Sequence, residues 1–308
     1  MQIEACKWYL SGTHPKFDLV IDQFHGIPFF APLYVRVKKL GFIHEVAKEV
    51  WKLNPWPKPM FFIPSILGTL IEPLIFRILY RNILFMTVSE STKQDLISWG
   101  ISKANITVVH NGVSVPDIKI PPKEIKKTLI YLGAISKDKG IEDALEVFSL
   151  INKENWQFWV VGKSDFRYLN FLKEKAKLLG IDKQLKFWGY VSEIKKFQLL
   201  SRAHILVNPS VREGWGLVVI EAASMGTPTV AFDVQGLRDS ILDDKTGVLD
   251  KKHSTLSMAE EIADLLYDEK RYQQMRMEAI KWSKDFSWHK ASRESLKLIE
   301  SIAKKEVD

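Results

Sequence analysis

The chain has 308 residues, 46% hydrophobic and 26% charged, with 44 Lys and Arg against 37 Asp and Glu and a net charge of +7. That length accommodates two ordinary domains, and the balance excludes a disordered or fibrous polymer. The positive excess suits anionic partners, but the basic residues are scattered and no nucleic-acid-binding motif appears, so phosphate esters or acidic lipids are expected and nucleic acid is not.

The opening MQIEACKWYL lacks a basic segment followed by a long apolar core and does not read as a signal peptide. Cys6 is the single cysteine, so no internal disulfide is possible and a reducing, cytoplasmic setting is expected. Short apolar runs then read as strands: Asp18 to Asp22, Lys39 to His44, Leu84 to Val88 and Ile106 to Val109. His25, beside Gly26 and Pro28, suggests a loop at a cleft. Between the strands lies the most apolar stretch, Trp56 to Tyr80, broken by Pro59, Pro64, Pro73, Lys58, Glu72 and Arg77. Its longest uncharged part, Pro59 to Ile71, is shorter than the roughly 20 residues of a membrane span. It reads either as a buried helix or as a hydrophobic face resting on a membrane. Ser89 is expected to cap the following helix.

From Asn111 to Lys127 the sequence is rich in Pro and Lys and has no period, which marks an interdomain linker. This places one domain at 1–113 and another at 114–287. The second contains strands at Thr128 to Gly133, Gln157 to Gly162, Leu185 to Gly189, His204 to Asn208 and Thr227 to Phe232. Several, such as TLIYLG and HILVN, are apolar throughout, as strands covered on both faces are. Helical stripes lie between them, including Ile141, Ala144, Leu145, Phe148 and Ile151, and Tyr168, Leu172, Ala176 and Leu179 before Gly180. The alternation predicts doubly wound α/β domains with parallel sheets. Residues 288–308 read as an amphipathic helix that suits either domain and is assigned to the first.

The most informative stretch is NPSVREGWGLVVIEAASMGTPTVAF, Asn208 to Phe232. A strand ends, a loop carries Glu213, Gly214, Trp215 and Gly216, and a helix begins near Leu217. A glycine loop lets backbone N–H groups approach a ligand, and a helix start attracts a diphosphate. Glu213 and Glu221 bracket the loop, and carboxylates accept from the paired hydroxyls of sugars and ribose. Alternatively, Glu221 is a buried capping acid and Glu213 a solvated charge, although an unpartnered acid in VVIEAASM is costly.

Glu213 and Glu221, with seven residues between them and GWGL inside, resemble the E-x7-E motif of retaining glycosyltransferases of family four. YLGAISKDKG, FWGYVSEIKKFQLLSRAHILVNPS, TVSESTKQDLISWGISKANITVVHNGV and DLVIDQFHGIPFFAPLY followed by GFIHEVAKEVW also resemble that family in order, over about Phe17 to His289. The resemblance implies a GT-B fold, two Rossmann-like domains facing a cleft. It implies a nucleotide diphosphate sugar as donor and a glycan acceptor, and the apolar stretch near Phe61 to Leu79 with the positive charge would suit a lipid-linked or envelope polysaccharide acceptor at the inner membrane face. Glu213 is then expected to bind the transferred sugar and Glu221 the ribose. Gly133 and the backbone of Gly214, Trp215, Gly216 and Leu217 would hold sugar and phosphate. Lys139 would neutralise the diphosphate, Tyr190 and Val191 would line the base, and His44 would position the sugar. Lys139 as a solvated loop lysine and His44 as a structural residue remain open from the residues alone, as does which of Trp188 and Tyr190 stacks on the base. The resemblance implies no metal or other cofactor. Asp243 and Asp244 in DDKTG read as a solvated turn.

Two departures stand out. Ala134 follows Gly133 where the family usually has arginine, removing one cation; Lys137 and Arg212 are the candidate substitutes. No glycine-rich loop precedes Phe17, so the first domain is expected to be incomplete, with an exposed sheet edge and an uncovered apolar face. Either the protein starts upstream, a partner chain completes it, or the acceptor half is remodelled. A catalytically impaired nucleotide-sugar-binding or regulatory subunit is therefore the alternative to an enzyme. A dinucleotide-dependent dehydrogenase is disfavoured, because no G-x-G-x-x-G follows a strand.

Overall fold

The computed structural model describes residues 1–24, 28–53, 62–151 and 154–304. The chain divides into two compact units, Met1–Gly112 with Trp288–Asp308, and Val113–Ser287.

In the first unit, α1 (Gln2–Leu10) precedes β1 (Leu19–Phe24), α2 (Ala31–Tyr34), β2 (Lys38–Ile43), α3 (Phe62–Leu79), β3 (Leu84–Thr87), α4 (Glu90–Ser98) and β4 (Ile106–Val108). The strands pair in parallel in the order β1-β2-β3-β4. Side-chain alternation gives the sheet two buried faces. On one, Ile43 and Phe85 meet Phe76, Tyr80 and Leu96 from the α3 and α4 side. Asp22 is buried beneath, where it accepts from the Tyr80 hydroxyl (2.6 Å) and from the N–H groups of Phe29 and Ala31. The Ser89 side chain caps α4 by accepting from the Thr92 N–H (3.1 Å).

The second unit runs β5 (Lys127–Leu132), α5 (Ile141–Ile151), β6 (Trp156–Val161), α6 (Phe166–Leu178), β7 (Leu185–Gly189), α7 (Glu193–Arg202), β8 (Ile205–Asn208), α8 (Leu217–Ser224), β9 (Thr229–Phe232), α9 (Leu237–Ser240), β10 (Gly247–Asp250), α10 (Thr255–Tyr267) and α11 (Glu269–Ser283). Its six parallel strands lie in the order β10-β9-β8-β5-β6-β7. β8, β9 and β10 are buried at every residue, and α5 buries the stripe read from its period. The helix α12 (Trp288–Lys304) returns to the first unit, laying Ala291 and Ile302 against Leu40, Met86 and Val109.

The expected uncovered apolar face is therefore corrected, because α12 and the α3–α4 side cover the two faces. β1 does remain an edge strand, with Ile21 44% exposed. The segment 111–127 carries no regular element before β5 but is pinned to the second unit. Val113 N–H donates to Phe286 O (3.1 Å), Glu124 N–H to Arg202 O (2.9 Å), and buried Lys123 to Ala203 O and Thr227 Oγ1. Strand β10 has no apolar run to announce it; GVLD becomes a strand by pairing with β9. Of the apolar stretch, residues 56–61 lie outside the described residues, as do His25 and Gly26. The rest forms α3, which is not simply buried: Ile66, Leu70, Ile71, Leu74 and Ile78 are all exposed. No helix among the described residues is long and apolar enough to cross a membrane.

Candidate functional site

The order of the second sheet reverses between β5 and β8, which are neighbours although two strands and three helices separate them in sequence. Helices leaving the two strands go to opposite sides there, so the loops part and leave a crevice at the strands' carboxyl ends. The loop after β5 carries Gly133 to Gly140, and the loop after β8 carries Pro209 to Gly216.

The two loops are tied together. Val211 N–H donates to Asp138 O (3.0 Å), and Lys139 Nζ donates to Arg212 O (3.3 Å) and pairs with Glu213 (3.0 Å). Ser210 Oγ lies 2.9 Å from Glu213 Oε1 and 2.6 Å from Asn208 Oδ1; its one proton serves one of them at a time. Glu213 N–H donates to Gln235 O (3.2 Å). A cavity of about 200 Å³ opens here, lined by Gly133, Ala134, Lys139, Ser210, Glu213 and Leu217 among others. Gly216 caps α8 in the left-handed region (φ 76°) with no side-chain bond to the first turn. The positive helix end therefore faces the cavity through Leu217 and Val218, which line it. An anion or a hydroxyl-rich group suits this mixture of one ammonium, one carboxylate and backbone donors.

Glu221, in the second turn of α8, is 8% exposed and does not line that cavity. Burial raises its carboxyl pKa, while Lys196 at 2.8 Å pulls it down. Lys196 is itself 2.8 Å from Glu193. Trp215 turns its ring into a cluster, edge-on to Phe286 (5.1 Å), so what it offers the loop is backbone. Tyr190 is 74% exposed, with Lys163 over its ring (4.8 Å), while Val191 is half-buried against the core. Trp188 packs edge-on to Trp159 (5.8 Å) and is part of the wall, leaving Tyr190 as the open face of the two.

The structure thus gathers Gly133, Lys139, Glu213 and Leu217 at one cavity, with Gly214, Trp215 and Gly216 completing its loop and Glu221 one turn along. Neither Lys137 nor Arg212 lines the cavity: Lys137 is exposed and Arg212 is buried at 2% exposure, reaching Gln235 Oε1 (3.5 Å). His44 belongs to the first unit, just past β2, where its carbonyl accepts from Thr92 Oγ1 (3.0 Å). Among the described residues no group of three or more His, Cys, Asp and Glu is placed to hold a metal ion. The sequence reading missed Tyr131, Asn208, Ser210 and Lys196. Tyr131 is buried in β5, donates to Ala134 O (2.7 Å) and has its pKa raised by burial and by Glu213. A hydroxyl inside TLIYLG and the Asn-Pro-Ser at a strand end were the available signals.

Residues 117–282 match the family model described as Glycosyl transferases group 1. The chain belongs to that family. Its two parallel α/β units are the GT-B fold. It is 26% identical over 291 residues to glycogen synthase from Mycobacterium tuberculosis, covering 93% of this chain and 65% of the relative, so it spans just under two thirds of that relative's length. It is 26% identical over 200 residues to the capsular polysaccharide biosynthesis glycosyltransferase CapM of Staphylococcus aureus, covering 60% of this chain and 52% of CapM. The structure of Anabaena Alr3699/HepE in complex with UDP-glucose superposes with a TM-score of 0.75 at 15% identity, covering 97% of this chain and 82% of that one.

Proposed function

We propose that this chain binds a nucleotide diphosphate sugar at the β5–β8 crevice and transfers its hexose, with retention, to a glycan, lipid-linked or envelope polysaccharide acceptor. The observation that carries the reading is the Lys139–Glu213 pair, 3.0 Å apart at the switch point beside the α8 N-terminus. In the reaction the bond from the anomeric carbon to the diphosphate oxygen breaks, and a bond from the acceptor oxygen to that carbon forms on the same face. The acceptor's proton passes to the departing diphosphate. Charge growing on that diphosphate is met by Lys139 and the backbone N–H groups of Gly214, Trp215, Gly216 and Leu217, so the reading needs no resident metal. Glu213 orients the sugar hydroxyls, Glu221 the ribose, and Tyr190 with Val191 the base; Gly133 leaves room for the phosphates. His44, on the first unit, is assigned to positioning the sugar.

Ala134 supports a second reading. It lines the cavity where a second cation is expected, and a donor-binding subunit completed by a partner chain would retain nucleotide affinity without turnover. The exposed apolar stripe of α3 supports work at the inner face of a membrane.

Calorimetric titration with UDP and with GDP, on wild type and Glu221→Ala, tests the site. One nucleotide should bind, and the variant should lose roughly tenfold or more of that affinity. No binding of either by the wild type refutes the donor site. Binding without hydrolysis or transfer from the matching sugar donors selects the second reading.

A further inference from the structure

Glu221 is surrounded by buried Val219, Ile220, Ala222 and Ala223, a setting that penalises a lone carboxylate. From α7, capped by Ser192 accepting from Lys195 N–H (3.3 Å), Lys196 reaches across to it. The ammonium is 2.8 Å from both Glu221 and Glu193; the Lys196 and Glu221 side chains are only 15% and 10% exposed, while Glu193 is 70% exposed. One helix therefore supplies a half-buried cation whose outer side is anchored by a surface acid and whose inner side meets the buried one.

We propose that Lys196 is a positioning residue for the ribose subsite: clamped between Glu193 and Glu221, it keeps the Glu221 carboxylate ionised and fixed in direction. This rests on the donor-site reading above. Burial opposes the charge on Lys196, but its bonds to Glu193 and Glu221 outweigh that and raise its pKa. The groups acting on Glu221 are Lys196 and Glu193. The other elements packed on α8 are β9, which carries no charge, and α9 and α11. On those two helices Arg238 pairs with Asp233, Arg271 with Asp244, Glu278 with Lys245, and Arg276 donates to the Gly226 carbonyl, while Asp239, Glu269, Lys270 and Lys281 are not among the groups acting on Glu221. Without Lys196, burial and Glu193 both act to protonate Glu221. A neutral carboxyl holds two hydroxyls about tenfold less tightly than a carboxylate does.

Carbon-detected NMR titration of the side-chain carboxyls in the full chain, with Glu221 assigned through Glu221→Gln, reads the ionisation directly. Lys196→Met is expected to move the Glu221 midpoint upward, and Lys196→Arg to restore it. In parallel, UDP or GDP affinity, whichever binds, should fall about tenfold more between pH 8 and pH 6 in Lys196→Met than in wild type. Lys196→Arg should abolish that difference, and Lys196→Met should add no pH dependence to Glu221→Gln. An unmoved Glu221 midpoint in Lys196→Met overturns the proposal, as does a pH-independent loss that arginine does not rescue. Absence of nucleotide binding by wild type overturns the donor reading and the ribose role with it, while the carboxyl midpoint still decides whether Lys196 holds Glu221.

Discussion

Gly236, which caps α9, sits at φ 80° with its backbone against the Glu213 loop. A Cβ there would lie 2.1 Å from the Glu213 carbonyl oxygen and 2.6 Å from its carbon. Gly236→Ala therefore carries two costs. The left-handed backbone with a Cβ costs about 1–2 kcal/mol, and relieving the overlap requires the 213–214 backbone to move by about 1 Å, at roughly 1–3 kcal/mol. The sum is about 2–5 kcal/mol, and for a unit of this size each kcal/mol lowers the melting temperature by roughly 2–4 °C. The displaced segment carries the Glu213 side chain, now 3.0 Å from Lys139 and 2.9 Å from Ser210, so donor affinity should fall along with stability. Gly180→Ala is the control, because Gly180 has φ 69° but no atom within 4 Å of the added Cβ. It should cost only the backbone part and leave nucleotide binding unchanged. Calorimetric melting and nucleotide titration of both variants decide the matter. If Gly236→Ala melts with Gly180→Ala and binds like wild type, the close packing of Gly236 on the Glu213 loop is refuted.

His204 is buried, with Nδ1 accepting from Thr128 N–H (3.0 Å), and burial with nearby Lys123 lowers its pKa to about 3. Since the unfolded value is higher, its stabilising contribution is complete above about pH 6.5 and is lost as pH falls towards 3, at up to about 1.4 kcal/mol per pH unit. Denaturant melts between pH 7 and 4 should show a steeper loss of stability towards pH 4 in wild type than in His204→Gln, and equal slopes refute the assignment. Glu261 shows the opposite sign: burial, Asp250 and Asp243 raise its pKa to about 7, so its contribution is present below pH 4.5 and lost as pH rises through 7. Glu261→Gln should raise the melting temperature at pH 8 by roughly 2–4 °C, an effect of about 1 kcal/mol after screening of its exposed part, and do little at pH 5. On α3, Leu70 and Leu74 are 66% and 52% exposed. The double variant Leu70→Glu, Leu74→Glu should sediment several-fold less with anionic vesicles while nucleotide affinity holds; equal sedimentation refutes the membrane face.

The parallel α/β fold was legible because burial on both faces leaves an unbroken apolar run in β5, β6 and β8, and because α5 repeats its apolar residues every turn. The bracketed glutamates and glycine loop were legible for a similar reason: a carboxylate in VVIEAASM and glycines before a helix have no cheap local explanation. β10 was not, because its four residues carry no run and become a strand only beside β9. Lys196 was not, because on its own helix it is one charge among several, and its meaning arises from a carboxylate 25 residues away. The fate of the apolar stretch also depended on packing: within α3, Phe76 faces the sheet and Leu70 and Leu74 face outward, a division that composition does not carry. The sequence by itself determined the alternation of the main strands and helices and the chemistry available, since both follow from local period and residue type. Which side chains meet, with Lys139 against Glu213 and Lys196 against Glu221, was decided by the tertiary structure, because strand order and helix packing bring together residues that no spacing rule connects.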